Sequence, residues 1–234
     1  MADQLKHVAI IMDGNRRWAK AHDKSTLEGH EKGSQALQRI VEASIELGVP
    51  YLTVYGFSSE NWSRDKKEVG DLLELMRRLL EQEVEALHEK GVCLKVIGDR
   101  TLFPEKTAQL ISDAEALTRT NKSLQLTIAL SYGSRQEIVS AAKAVARKVR
   151  DDGMDPDSLT EDTFASFLYT SGTPDPDLFI RPGGELRISN FLLWQISYAE
   201  FYFTKTYWPD FSKAEYMEAI ASYKNRDRRF GEGT

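Results

Sequence analysis

The chain reads as one α/β domain with a central, mostly parallel six-stranded sheet flanked by helices. The run Val8, Ala9, Ile10, Ile11, Met12 is continuously apolar, as expected of a parallel strand covered on both faces. Further along, apolar strand-like runs alternate with amphipathic helical ones, the order that builds a parallel sheet. A length of 234 residues, 41% of them hydrophobic, is enough for one substantial core. No repeat, low-complexity tract or interdomain linker divides it.

Strands are predicted at 6–12, 51–57, 92–98, 124–131, 177–181 and 199–203. Helices are predicted at 29–47, 66–90, 104–119, 134–151 and 212–224. After the first strand, Asp13, Gly14 and Asn15 break the chain, and a helix start near Arg16 is expected. Gly48 and Gly91 stop two of the helices. The helix from Lys66 to Lys90 carries Val69, Leu72, Leu73, Met76, Leu80, Val84 and Leu87 at helical spacing, a core stripe in the plainest reading.

The 31 basic and 36 acidic residues leave a net charge of −5, which excludes a general binder of nucleic acid or anionic membranes and makes any phosphate affinity local. Cys93, the single cysteine, excludes an internal disulfide and reads as a strand thiol in a reducing compartment. The N-terminal apolar stretch is too short for a signal peptide, and no later stretch reaches the ~20 apolar residues of a membrane span. A cytoplasmic protein is therefore expected. His7, His22, His30 and His88 form no pair at metal-ligand spacing, and His88 reads as a helix-surface residue. Asp151, Asp152 and Asp155 spell an aspartate-rich DDxxD pattern that could collect magnesium on one face of a helix, but Gly153 and Pro156 interrupt the helix and the strands contradict an all-α fold. A solvated helix end is expected there.

In open parallel sheets, ligands sit beyond the carboxyl ends of the strands, and three polar clusters fall at such places. The first is HVAIIMDGNRRW, His7 to Trp18. Free amides at a helix start can hold an anion, Arg17 can add a bidentate contact, Gly14 allows close backbone approach, and Asp13 can hold magnesium against the same oxygens. Alone, the segment reads equally well as an Asx-Gly turn with solvated arginines. The second cluster, Phe57 to Arg64, is rich in donors and has an aromatic wall, and Glu68 follows one turn into the next helix. By itself it is more readily an ordinary loop capped by Ser63. In the third, IRPGGELRISNF, Arg181, Arg187 and Ser189 flank a Pro-Gly-Gly turn, so two guanidiniums and a hydroxyl can converge on one diphosphate. That grouping is uncommon in a merely solvated loop.

Together these blocks resemble the cis-prenyltransferase family, most closely its bacterial undecaprenyl diphosphate synthases. The resemblance runs from HVAIIMDGN through Gly29-His30, GFSSENWSR, Arg181 to Phe191, and FLLWQISYAEFYF to Arg229-Phe230-Gly231. It implies a homodimer that elongates an allylic diphosphate with isopentenyl diphosphate, forms cis double bonds and uses magnesium. It also implies a hydrophobic product tunnel walled by the Lys66–Lys90 helix and a peripheral membrane contact at product release. Carried over by position, Asp13 matches the metal-binding aspartate, with Gly14, Asn15, Arg16 and Arg17 cradling the allylic diphosphate beside Trp18 and His30. Ser58, Ser59, Glu60, Asn61, Trp62 and Arg64 match the substrate-positioning loop, Asn61 being grouped with Asp13 as catalytic. Arg181, Arg187 and Ser189 match the isopentenyl diphosphate residues, Glu200 the carboxylate near its metal, and Arg229 and Gly231 a tail that completes the partner's site. Asn15 is no strong base, so a diphosphate oxygen or Asp13 is the expected acceptor of the final proton.

Two positions depart from the family pattern. Thr26 stands where a basic residue is frequent, so that one cationic contact to the allylic diphosphate is either missing or replaced by Lys24, and Pro182 removes a backbone donor from the turn after Arg181. A Pro-Gly-Gly turn also occurs in irregular relatives that join units head to middle, which makes a lavandulyl-type synthase the alternative within the fold. Gly56 resembles the small residue of longer-chain members. A non-catalytic partner subunit is the alternative of another class, disfavoured because Asp13 and Asn61 are both present.

Overall fold

The computed structural model describes residues 5–226. Six strands, β1 (His7–Ile11), β2 (Tyr51–Ser58), β3 (Val92–Ile97), β4 (Leu124–Tyr132), β5 (Leu178–Arg181) and β6 (Glu200–Phe203), form one sheet in the order β3-β4-β2-β1-β5-β6. Every pairing is parallel. The helices are α1 (Asn15–Ala21), α2 (Thr26–Glu46), α3 (Lys66–Glu89), α4 (Glu105–Thr118), α5 (Ser134–Asp152), α6 (Glu161–Ala165) and α7 (Lys213–Lys224).

All five residues of β1 are buried, as the unbroken apolar run requires. Alternate residues serve opposite faces. Val8 and Ile10 join Leu52, Val54, Leu94 and Leu126 under Ala36, Ile40 and Val41 of α2 and Tyr216 and Ile220 of α7. Ala9 and Ile11 join Tyr55, Tyr132, Phe179 and Phe191 on the other face.

Predicted and observed elements agree to within a few residues, and the exceptions have physical causes. Helix α2 starts at Thr26 rather than 29 because Ser25 and Glu28 form a capping box. The five residues of α6 are too few for periodicity to reveal. Helix α5 ends at Asp152, where Asp152 pairs with Lys148, Asp151 with Arg150, and Asp155 caps a short 3-10 turn. The aspartate-rich segment is thus a solvated helix end. His88 is exposed on α3 and takes an amide contact from Asn121 at 3.1 Å. Burial and nearby Glu115 push the Cys93 thiol up, against thiolate chemistry.

Candidate active site

Strand order brings the three clusters together. Strand β1 lies between β2 and β5, with Ile11 opposite Tyr55 and Ile10 opposite Ile180. The turns that follow these strands therefore meet at the carboxyl edge of the sheet.

Asp13 is the centre of the junction. Its Oδ1 accepts from Arg17 Nη2 at 2.9 Å, and its Oδ2 accepts from Arg181 Nη2 at 2.8 Å and Nε at 3.3 Å. Arg17 also donates to the Gly183 carbonyl at 2.7 Å and to Glu185 at 3.1 Å. Glu185 in turn accepts from Arg187. Arg181, only 4% exposed, donates to Ser189 Oγ at 2.8 Å and to the Arg187 carbonyl. Arg64 and Arg16 share Glu68, at 3.0 and 3.8 Å. Five guanidiniums thus divide three carboxylates among them. The surplus is positive, and it is concentrated where anions are expected.

Two glycines of the site make room for protein groups. Gly14, at φ 109°, leaves room for the Tyr207 ring, which a Cβ would meet at 2.8 Å. Gly183, at φ 94°, leaves room for the Arg17 guanidinium, which a Cβ would meet at 2.9 Å. Both positions admit other protein groups and so help to assemble the site. Pro182 has no amide to give, and the amides of Gly183 and Gly184 donate to the carbonyls of Thr206 and Thr204, each at 2.8 Å.

Asn15 and His30 are among the residues lining an apolar cavity of about 220 Å³. It lies between α2, α3 and the sheet, and its wall along α3 runs from Leu72 to Leu87. That is a run of 16 helical residues, about 24 Å. Met76, Leu80, Val84, Leu94, Leu126, Ile128 and Gly56 line it. Within α3 only Val69 and Leu75 are fully buried; Leu72, Leu73, Met76, Leu80, Val84 and Leu87 are half-buried, packing against the core while lining the cavity. Burial and the neighbouring Arg64 hold His30 down at about 4, with Arg16 adding to the effect and Glu68 opposing it. His30 is therefore neutral at pH 7. Its Nδ1 accepts from the Asn15 amide at 3.4 Å, placing the proton on Nε2, which is buried without a partner among the described residues.

In the second cluster Asn61 Oδ1 accepts from the Ser58 amide at 3.0 Å and fixes a 3-10 turn over Ser59–Ser63. Trp62 donates to Ser131 at 2.9 Å and packs against Phe57 and Phe103. Ser59 Oγ is buried without a partner among the described residues. Glu60 accepts from the Asn190 amide at 2.9 Å. Trp18 turns away from the cavity, donating to Asp210 at 2.8 Å and stacking on His22. Lys24 is held by Glu28 at 3.1 Å.

Glu200 is not brought to Asp13 within one chain. It opens β6 in register with Leu178, which pairs with Val8, five residues before Asp13. That offset is roughly 15 Å along a strand. Glu200 instead pairs with Arg226 at 2.5 Å. No group of three or more His, Cys, Asp or Glu side chains suited to a metal occurs among the described residues. Arg229 and Gly231 lie outside those residues.

Sequence reasoning missed Tyr207, whose ring sits 5.4 Å from the Arg17 guanidinium carbon, and Glu185, which links Arg17 to Arg187. It also missed Asn190. Glu185 and Asn190 each stand beside a motif residue that was recognised, and that adjacency is the signal that was available. Tyr207 carries none.

The site thus sets a basic junction beside an apolar cavity. Residues 11–231 match the family model Prenyltransf, the undecaprenyl diphosphate synthase family. The chain is 49% identical to the (2E,6E)-farnesyl-diphosphate-specific ditrans,polycis-undecaprenyl-diphosphate synthase of Haemophilus influenzae, over 97% of this chain and 95% of that protein. It is 48% identical to isoprenyl transferase 2 of Bradyrhizobium diazoefficiens, over 98% of this chain and 91% of that one. Two solved structures are similar. The lavandulyl diphosphate synthase of Lavandula x intermedia, in complex with dimethylallyl diphosphate, superposes with a TM-score of 0.94 at 40% identity, over 97% of this chain and 98% of that one. A probable undecaprenyl diphosphate synthase from Campylobacter jejuni gives 0.82 at 35% identity, over 98% and 100%. The chain belongs to the undecaprenyl diphosphate synthase family of prenyl transferases.

Proposed function

We propose that this chain condenses isopentenyl diphosphate onto an allylic diphosphate such as farnesyl diphosphate. The product is a long cis-polyprenyl diphosphate of the undecaprenyl type, a lipid carrier for cell-wall synthesis. The observation that carries this reading is the continuity between the guanidinium-rich junction at Asp13 and the apolar cavity that Asn15 and His30 help to line. A diphosphate head is held at the junction while its hydrocarbon tail enters the cavity.

In this mechanism the uncapped first turn of α1, Arg16, Arg17 and the free Nε2–H of His30 bind the allylic diphosphate. They stabilise the charge that grows on it as the carbon–oxygen bond breaks. Arg187 and Ser189, supported by buried Arg181, hold the isopentenyl diphosphate with its double bond beside the allylic carbon, which removes much of the entropic barrier. A diphosphate oxygen or Asp13 takes the departing proton. Asp13 suits magnesium, because a single carboxylate beside a phosphate cradle is the usual protein share of such a site. Bound there, the ion would neutralise charge on the leaving diphosphate. Each elongation pushes the chain further along α3, which makes the cavity the product tunnel.

Reaction in a homodimer in the cytoplasm, with peripheral membrane contact at product release, completes the proposal. No helix among the described residues is long and apolar enough to cross a membrane. Within the dimer, Arg229 and Gly231 would serve the partner's site. A chain lacking 229–234 should be inactive and partly restored by subunit exchange with an Asp13→Ala chain.

The Pro182-Gly183-Gly184 turn and the likeness to the lavandulyl synthase favour one second reading, a short or branched product. Incubation with magnesium, isopentenyl diphosphate and either farnesyl or dimethylallyl diphosphate, followed by product sizing, decides between them. The primary reading expects long linear products from farnesyl diphosphate. A branched ten-carbon diphosphate made from dimethylallyl diphosphate alone would establish the second.

A further inference from the structure

Helix α5 begins after Gly133, which has no side chain to cap it. Its first amides are taken by a residue from a distant loop. The Ser134 amide donates to the Asn190 carbonyl at 2.8 Å and the Arg135 amide to Asn190 Oδ1 at 2.9 Å. In return the Leu193 amide donates to Ser134 Oγ at 2.9 Å. Asn190 makes these bonds in the left-handed region, at φ 61°, directly after Ser189 at φ 46°. Asparagine tolerates that conformation better than most side chains do.

The other end of the same amide faces the second cluster. Asn190 Nδ2 donates to Glu60 Oε1 at 2.9 Å and to Gln136 Oε1 at 3.2 Å. There is no spare room around this junction. A Cβ on Gly133 would lie 2.5 Å from Ser59 Oγ and 2.7 Å from Asn190 Nδ2. One side chain therefore ties the start of a rigid helix to the Ser189 loop on one side and to the Ser58–Arg64 loop on the other.

We infer that Asn190 is a positioning residue that couples the two diphosphate half-sites, holding the Ser189 loop and the Glu60 loop in one mutual geometry through its contacts with α5 and Glu60. This rests on the assignment of Ser189 to isopentenyl diphosphate and of the Glu60 loop to the allylic diphosphate. It predicts that weakening the Asn190–Glu60 contact disturbs the binding of both substrates together, unlike loss of a ligand to one of them.

Asn190→Asp separates coupling from capping. Aspartate keeps the acceptor for Arg135 and is a good helix cap, and the Gln136 amide can turn to donate. Only the donor to Glu60 is lost, and two carboxylates then face each other. In the full-length enzyme with farnesyl diphosphate, isopentenyl diphosphate and magnesium, KM for both substrates should rise, with about a tenfold loss of kcat/KM. The thermal midpoint should hold, and kcat should change less than twofold. Adding Glu60→Gln restores the bond with donor and acceptor exchanged, so both KM values should fall back at least about threefold relative to Asn190→Asp alone. If Asn190→Asp leaves both KM values unchanged, raises only one, or is not rescued by Glu60→Gln, the coupling is wrong while the assigned reaction stands. Wild-type enzyme that condenses neither substrate would overturn the assignment and the coupling with it.

Discussion

The two faces of the sheet are built to opposite specifications. One is covered by α2, α3 and α7, mixes aliphatic side chains with Trp208, Phe211, Tyr216 and Tyr223, and keeps an open cavity along α3. The other is closed by aromatic rings in mutual contact. Tyr55 stacks on Phe191 at 4.5 Å, and Phe191 meets Tyr132 edge-on at 6.2 Å and Phe179 at 6.4 Å. The closed face carries the Ser189–Asn190 loop directly before Phe191, so its rigidity fixes the polar end of the site. The open face gives up packing to receive a substrate tail. A ligand-binding fold needs both, and here the division follows the alternation of residues along each strand.

The largest expected effect breaks the closed face. Phe191→Ala should cost about 3–5 kcal/mol of stability in urea unfolding, because a fully buried ring leaves a cavity its neighbours cannot fill. Leu80→Ala, on a wall already facing open space, should cost less than half as much. Equal losses would mean that the faces do not differ in packing.

At the junction, Asp13→Asn should lower kcat by at least ~100-fold while retaining allylic diphosphate binding, since metal-borne charge stabilisation is worth several kcal/mol. Asparagine is preferred to alanine because it leaves Arg181, buried and paired to Asp13, with an acceptor. Near-normal turnover would remove Asp13 from the mechanism.

Acid should act next. Burial holds His7 down at about 4; its Nδ1–H donates to the Pro174 carbonyl and its Nε2 accepts from Thr53. The unfolded chain binds a proton below its ordinary value of 6.5 while the folded one does not until about 4, so stability falls as pH drops through that window. Between pH 7 and 5 His7 should remove about 2 kcal/mol, and His30 acts in the same direction. Unfolding midpoints that stay flat over this range would contradict the buried neutral assignment.

Smallest is Arg187→Ala, an exposed guanidinium paired with Glu185. It should raise KM for isopentenyl diphosphate by about tenfold and leave that for the allylic substrate nearly unchanged, with lysine a poor substitute for the planar fork. Equal effects on both would show the half-sites to be wrongly divided.

Much of this was legible before any coordinates. Strand β1, the Asp-Gly-Asn break and the arginines flanking Pro182-Gly183-Gly184 all stood out, because unbroken apolar runs and polar residues at strand ends have few other uses. The start of α2 was also written in the sequence, as Ser25 and Glu28, but periodicity alone placed it three residues late. Contacts between distant residues could not be read. The Asp13–Arg181 pair spans 168 residues and exists because β5 inserts beside β1, an order that no local pattern encodes. Tyr207 is equally silent in sequence, since only the fold places its ring against Gly14 and Arg17. The α3 stripe fits core and cavity wall alike, and only the missing partner atoms in three dimensions separate the two.

The central claim is that the growing chain advances along α3 from the Asp13 junction. Product length in Leu72→Trp, Leu80→Trp and Leu87→Trp tests it most directly, because the successive steps move the obstruction about 12 Å and then about 10 Å further along the helix. With farnesyl and isopentenyl diphosphates, products should be shortest for Leu72→Trp, intermediate for Leu80→Trp, and longest for Leu87→Trp, approaching wild type. Products of one length from all three variants would contradict the account.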